Sequence, residues 1–271
     1  MTDSGLSYGL VAVPDGSGAQ WTERVRSAEQ DGWTSLLVPD TLWTPSPFPA
    51  LAAAAGVTNE LRVRTWVIAA PLRSPAAVVR ESSALQMLSD GRFELGIGSG
   101  RPDAERDAAR LGVPWGTGRQ RIDQAAGVIS AVREQVQPPP EIIVAAAGPR
   151  MLARTAPLAD RVAVVLPPQA TEEDLAAAIE RVRNAAGRAL PLSLQLVGLA
   201  GRLPAWLQRG GLDARALEAT GAVGMLTGDA AQMADTLLEL RSTLGIDEFV
   251  VPGELAEFFV PVITRLAGTT G

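Results

Sequence analysis

The chain has 271 residues and a formal net charge of −6, and all 24 of its basic residues are arginine; lysine, histidine and cysteine are absent. That inventory excludes Ser-His-Asp and Cys-His nucleophiles, a lysine Schiff base, histidine- or cysteine-ligated metals and disulfides. A hydrophobic fraction of 46% with 20% charged residues marks a folded chain, and its acidic balance argues against nucleic acid or an anionic membrane as partner. Chemistry in such a protein rests on a cofactor, or on carboxylates, arginine, hydroxyls and the backbone. No apolar run reaches the roughly 18 residues of a membrane span, and the N-terminus is not a signal segment; the expectation is a cytoplasmic protein.

In chain order, short apolar runs predict strands at Ser7–Val13, Ser35–Pro39, Arg62–Ala69, Phe93–Ile97, Glu141–Ala146, Arg161–Leu166, Leu192–Leu199 and Glu248–Val251. Near-continuous apolar runs suit strands buried on both faces, as in parallel sheets. Helices fall between them. One runs from about Gln20 to Asp31, before Gly32. Another is expected over Ala76–Leu88, with Ser74 as its cap and Pro75 at its first position. Thr171 with Asp174 predicts a capping box for Leu175–Ala186, closed by Gly187. Asp229 predicts a cap for Ala230–Leu244, with Gly245 just past its end. Prolines and glycines break the pattern over 201–225, which reads as an irregular, partly helical insertion between the last two strands. Pro138-Pro139-Pro140 is a stiff lead into the fifth strand. Eight strands alternating with helices predict a (β/α)8 TIM barrel as one domain over 1–271, with a doubly wound sheet as the rival.

In a barrel, function lies on the loops after the strands. Four stretches stand there. Pro39-Asp40-Thr41-Leu42-Trp43 clusters a carboxylate, a hydroxyl and an indole, although a helix cap at Asp40 with Trp43 in the core also fits. Leu61–Pro75 carries Trp66, which either faces a ligand or fills the barrel. Gly91–Arg101 has alternate glycines that admit a close neighbour, as tight barrel packing would also require. Ala145-Ala146-Ala147-Gly148-Pro149-Arg150-Met151 turns a strand into a helix whose free N–H groups, with Arg150, would meet an anion; an ordinary strand-to-helix turn fits as well.

Taken in order, these segments resemble the luciferase-like flavin and deazaflavin oxidoreductases. The likeness covers about Trp21 to Arg183 and Met225 to Val251 and is densest over Leu61–Gly100, through Leu72-Arg73-Ser74-Pro75 and Leu88-Ser89-Asp90-Gly91-Arg92-Phe93 to Gly96-Ile97-Gly98-Ser99-Gly100. The Gly148-Pro149-Arg150-Met151 form is most similar to the actinobacterial branch that uses coenzyme F420. The resemblance implies hydride transfer between F420 and a small organic substrate, or alternatively an FMN-dependent monooxygenase or reductase of the same fold, in a homodimeric assembly; no metal site is expected. It places Asp40 against the cofactor ring and a non-prolyl cis peptide at Trp66–Val67 behind it. Ser99 and Gly100 fall on backbone contacts to the cofactor chain, and Ala146, Ala147, Gly148 and Pro149 on the phosphate loop; Arg101, where some deazaflavin dehydrogenases carry glutamate, and Arg150 stand beside them as further cofactor-binding candidates. The family often has histidine where this chain has Thr41, so Asp40 and Thr41 stand as the catalytic candidates, with Tyr8 and Glu254 as further proton carriers. The missing histidine also motivates the alternative of a non-catalytic, ligand-binding relative.

Overall fold

A computed structural model describes residues 5–268. Its eight main strands are β1 (Ser7–Val11), β2 (Ser35–Val38), β3 (Arg62–Thr65), β4 (Phe93–Gly98), β5 (Glu141–Ala146), β6 (Arg161–Val164), β7 (Leu192–Gln195) and β8 (Ile246–Pro252). Each pairs in parallel with the next, and β8 returns to β1 with Glu248 opposite Ser7, so the sheet closes. The fold is a TIM barrel, as the alternation of elements predicts, and the doubly wound rival falls.

The helices are α1 (Gly18–Gln30), α2 (Pro47–Ala55), α3 (Pro75–Leu88), α4 (Glu105–Leu111), α5 (Gly118–Gln135), α6 (Pro149–Thr155), α7 (Glu172–Ala186), α8 (Ala205–Arg209), α9 (Ala214–Ala219), α10 (Ala230–Leu244) and α11 (Ala256–Ala267). Their faces follow the 3.6-residue period: α1 buries Trp21, Val25 and Ala28, and α7 buries Leu175, Ala178, Ile179 and Val182. Capping boxes start α1 at Ser17, α5 at Thr117, α7 at Thr171 and α10 at Asp229. Gly187 and Gly245 take the left-handed conformation that ends α7 and α10. Ser74 precedes Pro75 as expected, but its side chain makes no capping bond.

Two expected strands are too long, for non-local reasons. The run Arg62–Ala69 stops at Thr65 and resumes only at Ile68–Ala69. The run Leu192–Leu199 leaves the barrel after Gln195; Gly198–Leu199 pairs instead with Met225–Leu226 in a separate ladder. The Gly224 carbonyl accepts from the Val197 N–H at 2.6 Å and draws the chain outward. Between these pairs lies the irregular insertion, which is a small module with its own apolar cluster of Leu203, Leu207, Leu217, Ala222 and Met225.

Candidate functional site

The C-terminal ends of the strands gather the residues singled out above. At the β2 end Asp40 is bound two-fold by Arg73, with Nε to Oδ2 at 2.8 Å and Nη2 to Oδ1 at 2.7 Å. The 3₁₀ turn Ala70–Leu72, followed by Pro75 at the head of α3, places Arg73 beside the end of the neighbouring β2. Its guanidinium lies 5.3 Å from the Phe48 ring. The Arg73 pKa is raised, first by the hydrogen bond to Asp40, against the opposing effect of burial. Burial pushes Glu81 up, partly offset by Arg73. Asp40 therefore does not cap a helix. The N-cap position of α2 is Ser46. Nor is Trp43 core: it is 67% exposed, with the Arg101 guanidinium 4.9 Å over its ring. The Thr41 hydroxyl pairs with that of Thr44 at 2.8 Å.

At the β3 end the Trp66–Val67 peptide is cis. The Trp66 indole N–H donates to Gln195 Oε1 on β7 at 3.0 Å. The alternate glycines of β4 fit against this segment. A Cβ on Gly96 would stand 1.9 Å from the Thr65 carbonyl oxygen, and one on Gly98 would stand 3.2 Å from a Val67 methyl. Thr65 Oγ1 also donates to the Gly96 carbonyl and accepts from its N–H. At these two positions the packing explanation holds. Replacing Gly96 with alanine is expected to destabilise the fold by about 3 kcal/mol or more, since backbone must shift; an unchanged melting temperature in Gly96→Ala would refute it.

The turn after β4 keeps Ser99 half-buried and sets Gly100 against Trp115. Arg101 pairs with Asp103 at 3.0 Å and Asp107 at 3.2 Å. At the end of β5 Ala146 is buried, and after it Ala147, Gly148, Pro149 and Arg150 are exposed. Gly148 is the N-cap of α6, and a Cβ there would meet nothing within 4 Å. The loop is thus open. Arg150 lines an outer groove with Arg119, Asp123 and Arg154.

Between the ends of β3, β6 and β7 and the module lies a cavity of about 260 Å³. Trp66, Val164, Leu166, Pro168, Val197 and Trp206 form much of its wall, and among the described residues no charged side chain lines it, Ser193 and Gln195 being its polar side chains other than the Trp indoles. Below it the barrel interior is highly charged. Fully buried Arg64 binds Glu94 at 2.6 Å and Glu248 two-fold at 2.7 Å. Glu248 also accepts from Ser193 and, at 3.3 Å, from Ser35. Arg62 adds a contact to Glu94 at 3.1 Å, and Arg161 pairs with Asp247 and lies 3.6 Å from Glu141. Burial alone would raise Glu248; the charge and hydrogen bonds of Arg64 outweigh it and hold the carboxyl at about 2. The folded value lies below the ordinary 4.5, so the stabilising contribution is present above about pH 4.5 and is lost as pH falls toward 2. Thermal melts over that window are expected to show a drop that Glu248→Gln flattens.

Two of the proton-carrier candidates stand elsewhere. Tyr8 faces outward from β1 onto α11, with its ring 5.7 Å from that of Phe259. Glu254 accepts from the Ala205 N–H at 2.8 Å and fastens the module to the β8 end. Sequence reasoning missed the Arg73–Asp40 pair, Gln195 and Trp206. The polar alternation Ser193, Gln195 within a run of leucines was a legible sign of an inward-facing edge; the partner of Asp40, 33 residues away, had no such sign.

The closed parallel barrel with its C-terminal mouth places the chain in the TIM-barrel class. A family model described as luciferase-like monooxygenase matches residues 9–201, well over half of the chain, and the chain belongs to that family. Among curated relatives, it is 35% identical over 115 residues to an F420-dependent glucose-6-phosphate dehydrogenase of Beutenbergia cavernae. That match covers 39% of this chain and 33% of the relative, so the chain spans about a third of the relative's length. Its fold is similar to that of an F420-dependent secondary alcohol dehydrogenase in complex with an F420-acetone adduct (TM-score 0.74, 14% identity, 95% of this chain and 99% of that one). It is equally similar to a riboflavin lyase with modified FMN and riboflavin (TM-score 0.74, 15% identity, 96% and 91% covered). Among the described residues no helix is long and apolar enough to cross a membrane.

Proposed function

We propose that the chain is an F420-dependent oxidoreductase that moves a hydride between the deazaflavin and a small organic substrate. The observation that carries this reading is the mouth itself: Asp40, fixed two-fold by Arg73, follows the end of β2, and the cis peptide Trp66–Val67 follows the end of the neighbouring β3. The residues present fit such a group. Gly148 leaves open space at the head of α6, the loop Ala147–Arg150 is exposed, and Trp43 and Arg101 stack on each other at the rim, with Trp43 67% exposed. That open arrangement favours catalysis over the non-catalytic alternative.

When bound, the deazaflavin supplies the hydride chemistry, which needs no side-chain nucleophile. The chain's own residues bind and orient. Asp40 offers carboxylate lone pairs to a ring N–H, and Arg73 keeps that carboxylate from turning away. Trp66 and Val67 give a flat apolar backing. Ser99, Gly100 and Arg101 flank the cofactor chain. The loop Ala146–Arg150 would meet its phosphate through the backbone N–H groups of Ala147, Gly148 and Arg150 and the Arg150 charge, with Pro149, which has no N–H, opening the helix. Thr41 is tied to Thr44, so proton exchange at the substrate falls to Asp40 or to water. We further propose that the chain works as one barrel domain, in the cytoplasm and as a homodimer. FMN is the alternative cofactor, since relatives of this fold carry it. The test is titration of the purified chain with F420 and with FMN, read by tryptophan quenching. F420 binding without FMN binding supports the reading, FMN binding alone moves the cofactor choice, and binding of neither overturns it.

A further inference from the structure

The cavity beside Trp66 differs in chemistry from the rest of the mouth. Arginines and carboxylates crowd the β2 and β4 loops and the barrel floor, yet the cavity's wall is hydrocarbon and indole. At about 260 Å³ it is smaller than the pockets that hold drug-sized ligands, which start at about 300 Å³. One polar group is aimed by construction. An indole N–H can only donate, so Trp66 fixes Gln195 with its oxygen toward the indole, and the Gln195 amide nitrogen is left as the donor. The outer wall is Trp206, half-exposed on α8 and held by the module's own core and by the Glu254 bond to the Ala205 N–H.

We propose that this cavity takes a small, uncharged, largely apolar substrate bearing one oxygen acceptor, met by the Gln195 amide, and that Trp206 is the specificity-determining wall. A small anion such as a sugar phosphate would lose its hydration and meet no cation in the lining. The inference deepens the reading of the chain as a hydride-transfer enzyme and rests on it for the word substrate; the ligand class itself rests on the cavity.

The experiment is saturation-transfer NMR on the chain without cofactor and again with F420 added, using cyclohexanone and glucose 6-phosphate as probes. Cyclohexanone is expected to give signal in both states and glucose 6-phosphate in neither. Trp206→Arg and Gln195→Leu are each expected to lower the cyclohexanone signal at least fivefold. Trp206 is half-exposed, so its variant is expected to keep the wild-type circular dichroism; should it not, Gln195→Leu carries the test. Signal from glucose 6-phosphate, cyclohexanone binding indifferent to both substitutions, or its displacement by F420 overturns the proposal, the last by making the cavity the cofactor's own seat. Failure of F420 to bind while cyclohexanone does sinks the cofactor reading and leaves the ligand class standing.

Discussion

Arg64→Met is expected to be the most damaging single substitution in the barrel, at about 3–5 kcal/mol. Arg64 is completely buried and is the main counter-charge of Glu94 and Glu248, themselves 2% and 0% exposed. Removing it leaves, among the described residues, Glu248 buried with only Arg161, at 4.0 Å, and Glu94 with only Arg62, at 3.1 Å, in the barrel interior, where an undercompensated charge costs far more than a matched pair returns. The sign of the compensating change is equally definite. Adding Glu94→Gln and Glu248→Gln to Arg64→Met removes the stranded charges and is expected to restore most of the melting temperature. A single variant as stable as the wild type, by chemical denaturation at neutral pH, would falsify this account of the barrel floor.

Asp40→Asn is expected to weaken cofactor binding by about 10- to 150-fold, the equivalent of a hydrogen bond to a charged group at roughly 1.5–3 kcal/mol. Arg73→Ala is expected to act in the same direction, because the Asp40 carboxylate loses both of its guanidinium donors and its orientation with them. Thr41→Val serves as the contrast: its hydroxyl is engaged with Thr44, so affinity is expected to change less than about threefold. Fluorescence titration with F420 and FMN distinguishes these cases. Equal affinity in wild type and Asp40→Asn would remove Asp40 from the site.

What was legible in the sequence was local. The Thr171 capping box, the Asp229 cap and the helix-ending Gly187 and Gly245 depend on four or five consecutive residues, and they form as read. The barrel followed from the alternation of such elements. The strand interruptions were not legible, because an unbroken run such as Leu192–Leu199 is apolar on both sides of the point where Gly224 captures the chain. The interior charges were hidden for a related reason. Arg64, Glu94 and Glu248 stand on three strands far apart in the sequence, and only the folded sheet shows that they share one space. Reading Trp43 as core followed from its indole alone; the stacking partner that holds it at the rim, Arg101, comes from a different loop.

The module between Val197 and Leu226 is closed on itself by main-chain bonds from Val197 and Gly198 to Gly224 and from Ala200 to Leu226, and two of its own N–H groups reach the barrel, Val223 to the Ala170 carbonyl and Ala205 to the Glu254 carboxylate. Such joints place few demands on side-chain identity, and the apolar side chains of the module are spent mostly on one another. Sequence drift here can reshape the wall that Trp206 presents while the barrel's eight strands stay under their own constraints. The segment is in effect an exchangeable cassette, and grafting the corresponding stretch of another barrel between Leu196 and Thr227 is the natural route to altering what the mouth accepts.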